Sequence, residues 1–419
     1  MGTRRVTALC MAVVCMLLTA CTAGAPAQGE QTKQTLTLVL WDYDKTSYDR
    51  RLVEAFEQTH PDVEIQVVSY PDTYYDQKME AFLLGDKSVD VFLSRTTASL
   101  KRMCEHGVVQ ELDEMVEQYG LDLADSPQLT GMRYDGKLYG VPYRKDRYVL
   151  FYNCDLFDAA GVPYPQERLT WPQLYELAKK LQSGLRQNGQ YALMVLPMDI
   201  QWIASGGVWP MRYDADEAAG RIVPIMQLLL QMQQDGAAPR YADCIAKDVA
   251  QQSFELGEYA MYVGGSWYVN YLTTDQKNDK FDFRWGVMEC PYWPQSELDE
   301  EPSIPTGMSI CRNSENKTLA WEFIQFASGK EGASIMAEEQ MQPAYQDDAV
   351  KQCYLDHFAG VFLDEAILQA TEKPKQDLTN DVQEQQGILC DAFRKCMTGQ
   401  MTVEQAEQYA SAALRSVSA

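Results

Sequence analysis

The chain has 419 residues, 46% of them hydrophobic and 23% charged, and a formal net charge of −24. That length supports two or three domains with a sizeable core, and the acidity excludes nucleic acid or an anionic membrane surface as the main partner. The acids are spread along the chain, which describes a solvated surface and not a cation site.

Residues 1–20 read as an export leader. Arg4 and Arg5 form a positive end, 6–18 is an apolar run too short to span a membrane, and Leu18-Thr19-Ala20-Cys21 closes it. The small polar stretch 22–35 is a flexible tether. Beyond it the cysteines (Cys104, Cys154, Cys244, Cys290, Cys311, Cys353, Cys390 and Cys396) are dispersed, with no C-x-x-C pair. Export permits disulfides, but cysteines scattered through a large domain are more often small core filler, so buried thiols are the expectation. His60, His106 and His357 lie far from one another in sequence, and no stretch gathers the several His and Cys ligands that a metal needs, so no metal site is expected.

The first folded unit spans 36–70. The apolar run 36–40 predicts a strand, with Trp41-Asp42-Tyr43-Asp44 at its carboxyl end. Leu52, Val53 and Phe56 recur at helical spacing, His60-Pro61 stops the helix, and Val63, Ile65 and Val67 alternate as a second strand. Strands joined by a helix pair in parallel with a right-handed crossover, and open parallel sheets bind ligands outside the carboxyl ends of their strands. Residues 41–44 therefore occupy a ligand's place. They lack the glycines that cradle phosphate and offer an aromatic ring and carboxylates, which suit hydroxyls.

A helix at 73–84 follows, ended by Gly85, then a strand at 89–93 leading to Ser94-Arg95-Thr96. Short helices are expected at 99–105 and 112–119, and a hairpin around Asp135-Gly136-Lys137. The stretch 143–152 turns from polar to apolar, as a strand leaving one sheet for another would. Helices are expected at 169–185 (capped by Thr170), 222–234, 246–257 and 318–328. Strands are expected at 191–196, 259–263, 281–289 and 308–311. An aromatic, glycine-containing segment covers 200–209, Pro291-Tyr292-Trp293-Pro294 follows the strand at 281–289, and the end of the chain is mostly helical. No internal repeat is present.

In this order the landmarks WDYD, AFEQTHPDVEIQVV, DVFLS, DGKLYGVPY, VLFYNCDLFDAAGV, LTWPQLYELAKKL, FELGEYAMYVGGSW and NKTLAWEFIQFASGKEGA resemble the extracellular solute-binding proteins of ATP-driven importers, of the maltose- and multiple-sugar-binding type. The resemblance implies an α/β, two-lobed periplasmic-binding-protein-like fold with a ligand cleft between the lobes and hinge crossovers near 144–148, 285–288 and 327–330. The N-terminal lobe would be 36–145 plus 288–328, and the C-terminal lobe 148–285 plus 330–419. Leu-Thr-Ala-Cys resembles a lipobox, which implies cleavage before Cys21 and lipid on its thiol and amine. The chain would then sit at the cell membrane, facing the extracellular side or a periplasm, as a monomer. It would capture a carbohydrate and deliver it to the transmembrane subunits of an ABC permease, without cofactor or metal.

A sugar site needs flat rings for C–H faces and planar polar groups for hydroxyls. Trp267, after two glycines, matches an aromatic that stacks on sugar in the family, and Tyr268 adjoins it; the competing role for Trp267 is packing on the neighbouring helix. Asp42 and Tyr43 fall in the first loop, where Asp42 would otherwise cap a helix. Arg95 follows the third strand and forks either to a hydroxyl pair or to an acid. Arg144 lies at the first hinge, where an ion pair with Asp146 competes with ligand contact. Trp202 and Trp209 are candidates for a cleft wall, Tyr292 and Trp293 for a stiff proline-bracketed loop, and Gly307 for backbone contact. Other readings are a peptide, amino acid or polyamine as solute, with Arg95 or Arg144 as a fixed charge, or a sensory receptor. An exported glycoside-acting enzyme would need two facing carboxylates, and no pair stands out.

Overall fold

The computed structural model describes residues 33–85, 89–95, 97–121, 127–185, 190–196, 215–294, 304–345, 347–357, 362–363 and 380–417. In chain order the strands are β1 (Gln34–Trp41), β2 (Val63–Tyr70), β3 (Val91–Ser94), β4 (Arg133–Tyr134), β5 (Lys137–Leu138), β6 (Val141–Asp146), β7 (Tyr148–Asn153), β8 (Tyr191–Met194), β9 (Tyr259–Gly265), β10 (Trp285–Glu289), β11 (Ile304–Ile310) and β12 (Phe362–Leu363). They form one sheet in the order β2-β1-β3-β11-β6, a second in the order β12-β10-β7-β9-β8, and the hairpin β4-β5. The hairpin closes through Asp135 and Gly136, both at positive φ, the geometry that matches strand twist.

The opening unit forms as its two periodicities require. β1 and β2 pair in parallel from Gln34↔Val63 to Trp41↔Tyr70, and the helix Ser47–Thr59 between them buries Tyr48, Leu52, Val53 and Phe56. Phe56 meets Phe323 and Phe326 edge-on, at 5.2 and 5.6 Å. The helix Lys317–Ser328 is thereby part of the first core, although more than 250 residues away in sequence. The Tyr75 hydroxyl accepts from Leu93 N at 2.9 Å and lies 3.0 Å from the carbonyls of Val39 and Leu93, so one buried phenol serves the backbone of both β1 and β3.

The second sheet is covered on both faces. Along β7, Leu150 and Tyr152 enter one core, while Val149 and Phe151 enter the other. The first of these cores holds the helices Trp171–Leu185, Val223–Gln234, Asn380–Met397 and Val403–Val417. The second holds Tyr268–Lys277 and part of Lys330–Glu338. Thr170 caps its helix as expected, in a reciprocal pair with Gln173. The eight cysteines are separate thiols, five of them buried.

Three expectations need adjusting. The stretch 143–152 is two strands in different sheets, broken at Arg147, because its charged half belongs to β6 and its apolar half to β7. The expected helix at 246–257 is a helix ending at Ala246 followed by a 3₁₀ turn, Gln251–Leu256, and Asp248 at φ 52° breaks the run between them. The strand expected at 281–289 begins at Trp285 and pairs with β7 through Glu289, so the second passage between sheets lies beyond 285–288, between Glu289 and Ile304. The third passage falls at Gly329, between two helices. The latter, Lys330–Glu338, gives Met336 to the first core and Ala333 and Ala337 to the second sheet's core.

In β10, Gly286 sits opposite Tyr152, whose ring lies across it; an added Cβ would come within 2.3 Å of that ring. Gly286→Ala is expected to destabilise the protein by about 1–3 kcal/mol in denaturant unfolding, the usual range for overpacking a filled core. Unchanged stability would mean that the ring swings away freely.

Candidate functional site

The strand registers bring two sheet ends together. At the first sheet this end carries Trp41 of β1, Tyr70 of β2 and Ser94 of β3, with the Ile304 end of β11 beside Asp146 of β6. At the second it carries Tyr148 opposite Gly265, and Glu289 beside Val149. The crossing at Arg147 ties the two. Ser266 N donates to Arg147 O at 2.8 Å, Arg147 N donates to Ser266 Oγ at 3.2 Å, and Ser266 Oγ donates to Asp146 Oδ1 at 3.0 Å.

On the first wall, Asp42 adopts φ 47°, a left-handed conformation that Asp tolerates. Its carbonyl accepts from Lys45 N and Thr46 N, and its carboxylate pairs with Lys45 Nζ at 2.9 Å. It is not the helix cap, because the helix begins only at Ser47 with Thr46 as N-cap. Tyr43 is half-buried and donates its amide to Ser69 Oγ at 3.1 Å; burial, then the Asp49 charge, pushes its phenol up. Arg95 forks to Asp72, reaching Oδ1 and the carbonyl at 2.8 Å each, and its guanidinium lies 5.9 Å from the Trp41 ring centre. Arg144 is buried, with its guanidinium 5.3 Å from the ring centre of Trp41, 5.5 Å from that of Tyr48 and 5.9 Å from that of Tyr143. It stands 3.6 Å from Asp146. Trp41 is a core residue, edge-on to Tyr75 at 5.0 Å.

On the second wall, Trp267 is half-buried. Its Nε1 donates to Gln251 Oε1 at 3.2 Å, and its ring meets Tyr148 at 6.0 Å. It packs against the first-lobe core and against a second-lobe core, as Tyr345 also does. The two glycines have a steric reason, since a Cβ on Gly265 would lie 2.1 Å from the Trp267 ring and one on Gly264 2.3 Å from the Tyr262 ring.

Two expected contacts are removed by burial. Tyr268 is fully enclosed, donates its hydroxyl to Glu255 Oε1 at 2.8 Å and lies edge-on to Phe151 and Tyr262. One residue along a helix turns the side chain about 100°, so it faces the core where Trp267 faces the junction. Gly307 is buried between β3 and β6, and its Cβ would sit 2.5 Å from Met132 Sδ, so the cleft surface does not include it. Tyr292 and Trp293 lie just beyond β10. Tyr292 exchanges backbone bonds with Leu169 and Trp171 and carries Arg168 4.9 Å from its ring, while Trp293 stacks on Trp171 at 6.2 Å. Both clasp the start of a second-lobe helix. Trp202, Trp209 and Cys21 lie outside the described residues.

Sequence reasoning missed Asp72, Asn270 and Tyr271. Asn270 Nδ2 donates to Glu339 O at 2.6 Å and to Ser47 Oγ at 3.3 Å, joining the lobes. Its spacing of three from Trp267 was the available signal. Among the described residues no cluster of His, Cys, Asp or Glu is arranged to hold a metal, and no helix is long and apolar enough to cross a membrane. The arrangement presents ring faces, carboxylates and paired guanidinium groups from two bodies joined by narrow crossings, which is a means of enclosing a polar solute.

Comparison with known proteins agrees with this geometry. The sequence matches the bacterial extracellular solute-binding protein family over residues 43–334. A sugar transporter from Rhizobium etli, in an open conformation, is 26% identical and superposes over 91% of this chain and 99% of its own, with a TM-score of 0.74. An ABC substrate-binding protein from Listeria monocytogenes, in complex with cycloalternan, is 21% identical and covers 92% of this chain and 98% of its own, with a TM-score of 0.76. An uncharacterized lipoprotein from Streptomyces antibioticus is 30% identical over 177 residues; that match spans 41% of this chain and 38% of the lipoprotein.

Asp49 gives the first wall a pH signature. Burial raises its carboxyl to about 6, against the pull of Arg144 and the hydrogen bonds from Thr46 and Tyr143. The folded state thus holds a proton that the unfolded chain releases near pH 4. This contribution favours folding below pH 4 and is lost as pH rises to about 6. The stability difference between wild type and Asp49→Asn, followed by denaturant unfolding, should change by about 3 kcal/mol across that window. A difference constant with pH would contradict the buried, proton-holding carboxyl.

Proposed function

The chain belongs to the bacterial extracellular solute-binding protein family, and from that premise we propose that it captures a carbohydrate, an oligosaccharide, between its lobes and delivers it to the transmembrane subunits of an ABC importer. The observation that carries this reading is Trp267, a half-buried ring packed on both lobes. It stands at the sheet ends where Asp42, Tyr43 and the Arg95–Asp72 pair also lie. Rings of that kind take the C–H faces of sugars, and fixed carboxylates and guanidinium groups take their hydroxyls. Arg144 would hold Trp41 in place beneath them, and Trp202, Trp209, Tyr292 and Trp293 would extend the second wall.

Charge favours a neutral solute. Arg95 is paired with Asp72, Arg144 with Asp146 and Lys45 with Asp42, so an anion would have to draw a cation from its existing partner. Capture would proceed by hinge closure, with no bond made or broken. The leader and Cys21 supply export and a lipid anchor on the outer side of the membrane, and the protein acts there as a monomer.

A thermal-shift screen tests the reading, because a ligand that binds only the folded form stabilises it by about 2.7 kcal/mol at a hundredfold excess over Kd. Neutral saccharides and sugar alcohols, mannotriose and D-mannitol among them, are expected to raise Tm, while sn-glycerol 3-phosphate, amino acids and short peptides leave it unchanged. Trp267→Ala should fold and lose the saccharide shift. A shift with an amino acid or peptide and with no saccharide would overturn the carbohydrate assignment.

A further inference from the structure

The helix Tyr268–Lys277 starts directly after the cleft end of β9 and has two distinct faces. Tyr268, Val269 and Leu272 are buried in a second-lobe core. At 100° per residue, Trp267, Asn270 and Tyr271 fall together on the other side. Two of those three demonstrably reach the first lobe, Trp267 by packing on its core and Asn270 by its hydrogen bond to Ser47. Tyr271 lies on the same face, about 40° round the helix from Trp267, and is only half-buried.

We propose that Tyr271 is a specificity-determining contact of the second lobe, presenting its hydroxyl across the cleft so that a hydroxyl group of a neutral solute is held between it and the Asp42 carboxylate. The inference rests on the carbohydrate reading of the cleft and adds a residue to it. The electrostatics agree with the helix geometry. The phenol is held above its ordinary range by burial first and then by Asp42, with Asp72 and Asp49 acting in the same sense and Arg144 against them. All four lie in the first lobe or at its hinge, the side that Trp267 and Asn270 of the same helix face also reach, while the Tyr271 ring packs on the second-lobe core. A phenol there both donates and accepts, and it adds no charge to a site whose cations are already paired. The Asp42 carboxylate, fixed by its left-handed backbone and by Lys45, accepts and does not donate, so a solute hydroxyl donating to Asp42 and accepting from Tyr271 is satisfied on both sides.

Calorimetric titration of the full chain with mannotriose and with D-mannitol tests this, using wild type, Tyr271→Phe, Asp42→Asn and the double variant. Tyr271→Phe keeps the ring and removes only the hydroxyl. It should weaken saccharide binding about tenfold, the worth of one hydrogen bond to a ligand, while leaving the ligand-free Tm unchanged. The double variant should lose less than the product of the two single losses, as expected for two groups on one solute hydroxyl. Wild-type binding with Tyr271→Phe equal to it, or a lowered ligand-free Tm with unchanged affinity, or losses that simply multiply, would overturn the inference and leave the carbohydrate reading standing. Binding of an amino acid or peptide by wild type, with no saccharide or sugar alcohol bound, would overturn both.

Discussion

The chain passes from the first sheet to the second through four consecutive charged residues, Arg144, Lys145, Asp146 and Arg147, each no more than 5% exposed. Buried charge is tolerated only where it is paired and hydrogen-bonded. Asp146 receives Ser266 Oγ from one lobe and stands by Arg144 from the other, and Arg144 in turn lies over three rings of the first lobe. Burial and the Arg147 charge pull the Lys145 amine down to about 7, and its backbone amide is tied to Gln342 O. Sliding the lobes past one another here would strand charges in the interior, whereas a small rotation keeps the partners. Rotation about a fixed point is the motion that the crossing allows.

The cleft walls are placed relative to that point. Arg144 lies beside the Trp41 ring, one residue before Asp42, and Ser266, which bonds the crossing, is one residue before Trp267. The second fastening is of a different kind. Glu339, just past the helix Lys330–Glu338, accepts from Ser47 and Arg51 of the first lobe by its carboxylate and from Asn270 of the second by its carbonyl. The Arg51 pairs with Glu338 and Glu339 are substantially exposed, and such pairs contribute little. The buried, costly crossing fixes the pivot, while the fastening at Glu339 combines exposed Arg51 pairs, which break cheaply, with the part-buried bonds of Ser47 and Asn270.

The opening unit was legible because strand and helix periodicities alternate cleanly from Leu36 to Val68 and each apolar position has one face to occupy. The passage at 144–147 was legible as a place, and the Arg144–Asp146 pair with it, but not its burial: no local pattern marks four charges in a row as enclosed, and only tertiary packing encloses them. Tyr268 was assigned to the cleft because it adjoins Trp267, although helical phase already sets neighbours about 100° apart. Trp267, Asn270 and Tyr271, three and four apart, are the grouping that phase would have given. The burial of Gly307 depends on Met132, distant in sequence, and no local pattern announces it. Asp42 looked like a cap because a helix follows it, yet the turn through Lys45 and Thr46 delays that helix to Ser47.

The Gly-Gly-Ser-Trp run is accordingly a packing device before it is a binding device. Gly265 has no Cβ, which allows the Trp267 ring to lie back over the strand end. Ser266 spends its hydroxyl and amide on the crossing, and Gln251 fixes the indole nitrogen. A ring held this way touches both lobes, so its environment depends on the angle between them. In the proposed reading, a solute stacked on Trp267 gains contacts with the first lobe only in the closed arrangement. That differential contact is the sole means by which a ligand shifts a hinge equilibrium. Capture and closure are then one event at one residue, and the affinity measured for any sugar includes the free energy of turning the lobes.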